Sequence, residues 1–130
     1  MKNRKRIAAF LMALLALNGC GREVKKEAVY VNITAQEAKE LMDREEGYVS
    51  LDVRTEDEYT QGHIPGAILI PDYEIEQKAE EILTDKNQMI LVYCRSGRRS
   101  KNAAQALLEL GYTDVREFGG IIDWPYEVEQ

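Results

Sequence analysis

The amino-acid sequence predicts an α/β protein built on an open sheet of five parallel strands. Short apolar runs alternate along the chain with segments that carry apolar residues at helical spacing, and this alternation is typical of strand–helix–strand units. The apolar run at 89–93 is too short for a helix and lacks the polar alternation of a surface strand. It therefore predicts a strand covered on both faces, as in the middle of a parallel sheet.

The remaining elements follow from the same patterns. The predicted strands are 28–33, 48–53, 67–70, 89–93 and 113–117, and the predicted helices are 34–47, 55–59, 72–83 and 100–110, with a terminal turn or helix at 121–124. Capping-box spacing, Thr34 with Glu37 and Thr55 with Glu58, marks the starts of the first two helices.

The loop between the fourth strand and its helix is the candidate site. It consists of Cys94, Arg95, Ser96, Gly97, Arg98 and Arg99. A short loop that leads into a helix directs several backbone N–H groups at one point, and the helix N-terminus adds partial positive charge. A thiol at that point, beside three arginines, is expected to have a depressed pKa and to act as a nucleophile.

A structural reading of the same cysteine is an inert, buried small side chain at the end of a strand. The three arginines and the glycine that follow favour the functional reading, because a hydrophobic core has no use for them. In a parallel sheet, moreover, sites form at the carboxyl ends of the strands, where Cys94 lies.

The first twenty residues predict a lipoprotein signal. A basic segment at 2–6 precedes an apolar run at 7–17, which is too short to cross a hydrocarbon core of about 30 Å. The run ends in Leu17-Asn18-Gly19-Cys20, which resembles the bacterial lipobox. The resemblance implies cleavage before Cys20 and a diacylglycerol on its sulfur. The alternative is an ordinary secretory signal with Cys20 left as a free thiol.

On this interpretation the chain is an exported bacterial lipoprotein, anchored to a membrane on its extracytoplasmic side. The predicted segments are a signal peptide at 1–19, a lipidated tether at 20–27 and one domain at 28–130.

Removal of the signal leaves an acidic protein with one free thiol. The full chain has 17 basic and 23 acidic residues, and four basic residues but no acidic ones lie within 1–19, so the net charge changes from −6 to −10. This charge disfavours nucleic acid as a partner and leaves small anions as the expected ligands of the basic cluster at 95–99. With Cys20 lipidated, Cys94 has no partner for an internal disulfide, so any second thiol must come from outside.

Four segments together resemble the rhodanese family of sulfurtransferases. They are Leu51-Asp52-Val53-Arg54, Gly62-His63-Ile64-Pro65-Gly66-Ala67, Cys94-Arg95-Ser96-Gly97-Arg98-Arg99-Ser100, and Gly119-Gly120 with Trp124. Their order and spacing match across about residues 29–126. The resemblance implies a single-domain, three-layer α/β/α fold with a five-stranded parallel sheet and helices on both faces.

The resemblance also implies the chemistry. The Cys94 thiolate attacks the outer sulfur of a donor such as thiosulfate or a persulfide, and a thiophilic acceptor, cyanide or a thiol, then removes the sulfur from the enzyme persulfide. No cofactor is implied, and one histidine with one free cysteine cannot build a metal site. The residues expected to bind the donor and the persulfide are Arg95, Ser96, Gly97, Arg98, Arg99 and Ser100.

Three further residues are expected to brace the site. By resemblance, Asp52 supports the neighbouring loops and Arg54 pairs with a nearby carboxylate such as Glu58. His63 is expected to make a loop-bracing hydrogen bond rather than to act on the thiol, and Trp124 to serve as a core anchor or pocket wall.

Two other classes of function remain open at this stage. Cysteine-based phosphatases and arsenate reductases carry an arginine six positions after the cysteine, where this chain has Ser100, and a smaller loop suits one sulfur atom better than a phosphoryl group. A non-catalytic binding or sulfur-sensing module is the other alternative, although such modules commonly lose the cysteine that this chain retains.

Overall fold

The computed structural model describes residues 29–130 of the chain. The predicted signal peptide at 1–19, the lipidated Cys20 and the tether at 20–27 lie outside the described residues, as does Ala28 at the start of the first predicted strand. Within 29–130, none of the helices combines the length and the apolar character needed to span a membrane.

Five parallel strands form a single sheet, as the sequence predicts. They are β1 (Val31–Asn32), β2 (Val49–Asp52), β3 (Ile68–Leu69), β4 (Met89–Cys94) and β5 (Asp114–Gly120). Their order across the sheet is β1-β5-β4-β2-β3, and every neighbouring pair is parallel. The strand that ends in Cys94 is therefore the central one.

Four α-helices connect the strands: α1 (Ala35–Arg44), α2 (Glu56–Gln61), α3 (Ile75–Ile82) and α4 (Arg98–Glu109). Short 3₁₀ turns at Asp72–Glu74 and Ile121–Asp123 precede α3 and follow β5. Both predicted capping boxes are present. The Thr34 and Thr55 hydroxyls accept the N–H of the residue three positions on, and the Glu37 and Glu58 carboxylates accept the N–H of the cap.

The core has two halves, one on each face of the sheet. Because side chains alternate along a strand, β4 contributes Ile90, Val92 and Cys94 to one half, which α3 and α4 cover. It contributes Leu91 and Tyr93 to the other half, which contains α1 residues together with Phe118 and Trp124. This arrangement confirms the three-layer α/β/α prediction.

Several predicted boundaries differ from the structure by a few residues; the first helix, for example, ends at Arg44 and the third begins at Ile75. Helix α4 begins at Arg98 rather than at Ser100, because Gly97 adopts a left-handed conformation (φ 111°) and turns the chain into the helix. Strand β5 extends through Gly120, which pairs with Cys94. Strand β1 lies at an edge of the sheet and is limited to Val31 and Asn32, both of which are exposed.

Candidate active site

Cys94 is the last residue of β4, at the carboxyl edge of the sheet, and its side chain is directed at the loop that follows. The residue is only 1 % exposed, but its sulfur is not surrounded by hydrocarbon alone. The Gly97 N–H donates to Sγ over 3.0 Å, and the Ser100 hydroxyl lies 3.4 Å from the same atom.

These contacts determine the acidity of the thiol. Burial raises the pKa of Cys94, but the hydrogen bond with the Ser100 hydroxyl and those from the backbone N–H groups of Ser100, Gly97 and Ser96 outweigh it, so the pKa lies below the ordinary thiol value. The loop can therefore stabilise a sulfur anion as an oxyanion hole stabilises oxygen.

Two glycines allow the loop to close around the sulfur. Gly97 takes a positive φ that side chains disfavour. Gly120 lies directly against the loop backbone, since a Cβ placed on it would overlap the carbonyl group of Arg95 and lie 2.5 Å from the Ser96 nitrogen. Gly120, the second residue of the Gly119-Gly120 pair, thus provides the space in which the cysteine loop sits.

The three arginines of the loop differ from one another in the structure. Arg99 lies in the first turn of α4 and forms a bidentate pair with Glu58, with Nη1···Oε1 and Nη2···Oε2 distances of 2.9 and 3.0 Å. Arg95 and Arg98 are exposed and form no ion pair with any described residue. Hydrogen bonds to the sulfur are thus the main causes that lower the pKa of Cys94.

Arg54 pairs with a nearby carboxylate, as predicted, but the partner is Asp52 and not the suggested Glu58. Arg54 is buried against Asp52, with Nη2 2.7 Å from Oδ2, while Glu58 is occupied by Arg99. The geometry explains the difference: Asp52 and Arg54 are two residues apart at the end of β2, so both side chains lie on one side of the strand. A second bond from Arg54 Nη2 to the Gly62 carbonyl, 2.7 Å long, joins this pair to the 62–67 loop.

Tyr93 completes the Asp52 network. Its hydroxyl donates to Asp52 Oδ2 over 2.7 Å and accepts the Ile64 N–H over 3.0 Å. Burial and then the Asp52 carboxylate raise the pKa of Tyr93, so the hydroxyl stays a donor. Strand β2, strand β4 and the 62–67 loop are thereby joined near the cysteine loop by hydrogen bonds between buried groups.

His63 contacts Tyr59 and Glu129 rather than the Cys94 thiol. Its Nδ1 lies 3.0 Å from the Tyr59 carbonyl and its Nε2 3.3 Å from Glu129 Oε2, and the ring stacks on Tyr59 with centroids 3.8 Å apart. Its backbone pairs with Glu129 near the chain terminus. None of the hydrogen bonds among the described residues joins His63 to Cys94.

Trp124 packs in the half of the core that holds Phe118, and its Nε1 donates to the Glu127 carbonyl. It also lines a cavity of about 220 Å³ with Lys39, Ile64 and others. Among residues 29–130, no cluster of three or more His, Cys, Asp or Glu side chains could hold a metal ion.

The sequence reasoning assigned no role to Glu117. This residue lies on β5, is 1 % exposed, and accepts hydrogen bonds from Ser100, Asn32 and the Gly119 N–H. The signal that could have identified it is an acidic residue two positions after Val115, and so on the same face of the predicted strand 113–117. A carboxylate at such a position needs a specific set of partners.

Comparison with known proteins agrees with this geometry. A family model described as the rhodanese-like domain matches residues 34–125. The chain is 42% identical over 73 residues to the thiosulfate sulfurtransferase PspE of Escherichia coli, covering 56% of this chain and 70% of that protein. It is 34% identical over 97 residues to the putative sulfurtransferase YtwF of Bacillus subtilis, covering 75% of this chain and 92% of YtwF.

A solved structure described as a rhodanese with anions from E. coli superposes with a TM-score of 0.60 at 37% identity. The match covers 64% of this chain and 98% of that one. The match to the family model includes the cysteine loop, the Asp52 network and Glu117.

Proposed function

Because this chain belongs to the rhodanese-like domain family, we propose that it is a sulfurtransferase that moves sulfane sulfur from thiosulfate or a persulfide donor to cyanide or a thiol. The observation that carries the proposal is the position of the Cys94 sulfur, buried beneath the 95–97 loop and hydrogen-bonded by Gly97 over 3.0 Å. Relatives that are named sulfurtransferases support it.

In the first step the Cys94 thiolate attacks the outer sulfur of thiosulfate. A new S–S bond forms, the S–S bond of thiosulfate breaks, and sulfite leaves with the electron pair of that bond. The terminal sulfur of the resulting persulfide is anionic, and the N–H groups of Ser96 and Gly97 are available to stabilise it.

In the second step the acceptor attacks the terminal sulfur. Cyanide leaves as thiocyanate, or a thiolate leaves as a persulfide, and the Cys94 thiolate is regenerated. No redox cofactor is needed, since the sulfur is passed between nucleophiles in a ping-pong cycle. The exposed guanidinium groups of Arg95 and Arg98 are suited to attract the dianionic donor.

The Arg99–Glu58 pair supports sulfur transfer over phosphoryl transfer. A cysteine phosphatase needs a loop arginine whose guanidinium is free to bind the phosphoryl oxygens in the transition state. Here the loop arginine that lies within the helix turn is bound at both nitrogens by Glu58.

The test is mass spectrometry of the protein after incubation with thiosulfate, together with a thiocyanate assay. We expect an added sulfur atom on Cys94, removed by cyanide, and no turnover in Cys94→Ser. An unmodified Cys94 would overturn the proposal, and hydrolysis of p-nitrophenyl phosphate faster than thiocyanate formation would replace it with the phosphatase function.

We also propose that the protein is lipidated on Cys20 and held at the extracytoplasmic side of a membrane. The proposal rests on the sequence Leu17-Asn18-Gly19-Cys20 and the apolar run before it. Labelled palmitate should be incorporated into the wild-type protein and not into Cys20→Ala. Equal labelling of both would refute lipidation at this residue.

A further inference from the structure

Three cationic side chains beside the cysteine loop have no carboxylate partner among the described residues. They are Arg95, Arg98 and Lys101, and all three are exposed. Every other arginine and lysine within 29–130 forms an ion pair with an aspartate or a glutamate. Because the chain has 23 acidic and 17 basic residues, a shortage of carboxylates does not explain why the unpaired cations lie together.

Lys101 belongs to the same surface as the two arginines. Arg98 and Lys101 are three residues apart on α4, so their side chains lie on one face of the helix. The Lys101 side chain extends back to the loop, because its Nζ lies 3.2 Å from the position that a Cβ on Gly97 would take. Gly97 in turn donates its N–H to Cys94 Sγ over 3.0 Å. The ammonium group and the sulfur thus lie close to the same loop residue.

This concentration of positive charge opposes the stability of α4. The first turn of a helix carries partial positive charge and favours acidic side chains, and like charges three residues apart repel each other. Helices α1, α2 and α3 have acidic residues in the first turn, whereas α4 has none and begins with Arg98 and Arg99. A charge pattern that folding disfavours indicates a surface with a function.

An exposed apolar side chain borders the cations. Ile122 is 58 % exposed, and its N–H donates to the Arg95 carbonyl over 3.2 Å, which holds it beside the cysteine loop. Asp123 is exposed on the same turn, so three positive charges face one negative charge. Thiosulfate and cyanide have no apolar part that could cover an isoleucine. An acidic polypeptide has both an apolar part and the carboxylates that complement the cations.

We propose that this surface, the cationic rim of Arg95, Arg98, Lys101 and Ile122, binds a polypeptide segment whose cysteine is flanked by acidic residues, and that this cysteine is the sulfur acceptor. The inference rests on the proposed function, of which it specifies the acceptor. The acceptor thiolate attacks the terminal sulfur of the Cys94 persulfide, the S–S bond of that persulfide breaks, and its electron pair stays on the Cys94 sulfur. The partner leaves as a persulfide, so no oxidant or reductant is required.

The cationic rim gives an acidic partner a preferred orientation. The chain as a whole has a net charge of −6, so it repels such a partner everywhere except at a local positive patch. Complementary charge at that patch speeds the encounter and aligns the two molecules. Since Cys94 is 1 % exposed, an acceptor thiol held at the loop reacts more readily than one that meets the surface at random.

The test is sulfur transfer from the Cys94 persulfide of the full chain to synthetic thiol peptides. The peptides have the form acetyl-X-X-Gly-Cys-Gly-X-X-amide, with X as Glu, Ser or Lys. Each transfer rate is divided by the rate at which iodoacetamide alkylates the same peptide, which corrects for the effect of flanking charges on the peptide thiol. At low salt the glutamate peptide should react about tenfold faster than the serine peptide, because several weak exposed ion pairs act together, and the lysine peptide should react most slowly. In 1 M salt the three rates should be nearly equal.

Lys101→Glu reverses one charge of the cationic rim and leaves both arginines in place. Its preference for the glutamate peptide over the serine peptide should fall about fivefold. Lys78→Glu is the matched control, since it makes the same change of charge at an exposed position on α3, and it should keep the wild-type preference. Ile122→Ser should raise KM for the glutamate peptide about two- to fivefold. The charge preference is a ratio between peptides, which a partial loss of folded protein would not change.

Equal rates for the three peptides at low salt would overturn the proposal, as would an unchanged preference in Lys101→Glu. A raised KM for thiosulfate in Lys101→Glu, without any preference among the peptides, would also overturn it and would assign the cations to the donor alone.

Binding measured without chemistry separates this proposal from the proposed function. A dye-labelled glutamate peptide with serine in place of cysteine should bind the full chain more tightly than the corresponding lysine peptide, as read by fluorescence anisotropy. Such binding, with no sulfur on Cys94 after thiosulfate treatment, would leave the binding surface standing and remove the proposed function. Sulfur transfer to cyanide without any preference among the peptides would do the reverse.

Discussion

Replacement of Gly120 by alanine tests how much the backbone N–H groups of the cysteine loop contribute to the acidity of the thiol. A Cβ at this position would overlap the Arg95 carbonyl group and lie 2.5 Å from the Ser96 nitrogen. Non-bonded heavy atoms pack at about 3.5–4.0 Å. The loop backbone must therefore move by roughly 1 Å, and the contact is with backbone, which cannot turn aside as a side chain would.

Such a movement acts directly on the thiol. The Gly97 N–H lies 3.0 Å from Sγ, and a displacement of about 1 Å takes it beyond hydrogen-bond range. A hydrogen bond to a charged group contributes about 1.5–3 kcal/mol. Since one pKa unit corresponds to about 1.4 kcal/mol, the thiol pKa should rise by about one to two units and kcat/KM for thiosulfate should fall about tenfold to a hundredfold.

The assay combines thiocyanate formation with the pH dependence of alkylation, and urea unfolding should show a loss of about 1–3 kcal/mol from overpacking. Gly47→Ala is the control. Gly47 has a positive φ (79°), whereas the backbone of Gly120 is extended. No atom lies within 4 Å of a Cβ added to Gly47, and the residue precedes β2 at the opposite end of the strand from the site. It should lose stability without a change in thiol pKa. Wild-type acidity and activity in Gly120→Ala would refute the backbone argument.

Three other changes have expected outcomes. Glu58→Gln should destabilise the fold by about 1 kcal/mol at pH 7, since the hydrogen bond from Arg99 lowers the pKa of Glu58 from 4.5 to about 2, and the partial exposure of both side chains reduces the effect. Because the folded-state pKa is depressed, the difference from wild type in urea unfolding should shrink as pH falls from about 4.5 toward 2; a constant difference would contradict the pairing. Tyr93→Phe should cost about 1.5–3 kcal/mol in urea unfolding, since it removes a buried donor to the Asp52 carboxylate, and a cost near zero would mean that this bond contributes nothing net. Arg98→Ala should raise KM for thiosulfate about two- to fivefold at low salt without moving the alkylation midpoint, an effect that should vanish in 1 M salt; an unchanged KM at low salt would exclude Arg98 from donor capture.

The elements that local chemistry specifies were predictable from the sequence. The capping boxes at Thr34 and Thr55 fixed two helix starts. The unbroken apolar run of β4 identified a strand covered on both faces, and the loop after it identified Cys94 as the candidate nucleophile. Each of these inferences depends on residues within a few positions of one another.

The features that the sequence did not predict depend on contacts between residues far apart in the chain. Glu58 was suggested as the partner of Arg54, to which it is close in sequence. The fold instead brings Arg99, 41 residues away, to the Glu58 carboxylate. The strand order, with β5 between β1 and β4, likewise follows from tertiary packing. Glu117 could be recognised as part of the site only from the structure, in which β5 lies beside β4 and Glu117 contacts Ser100.

The source of positive potential at the sulfur differs from what the arginine-rich loop suggests. The loop presents two separate sources of positive potential. Backbone N–H groups contact Sγ, whereas the guanidinium groups of Arg95 and Arg98 are exposed to solvent. Buried dipoles at fixed distance are hardly screened by salt, whereas exposed charges lose most of their reach at about 8 Å in physiological salt. The acidity of the thiol is therefore set by the Ser100 hydroxyl and the backbone N–H groups in contact with it. On the proposed function, the exposed arginines have the separate role of attracting an anionic donor to an acidic protein of net charge −6. Separation of the two tasks lets donor recognition change through surface residues without a change in the nucleophile.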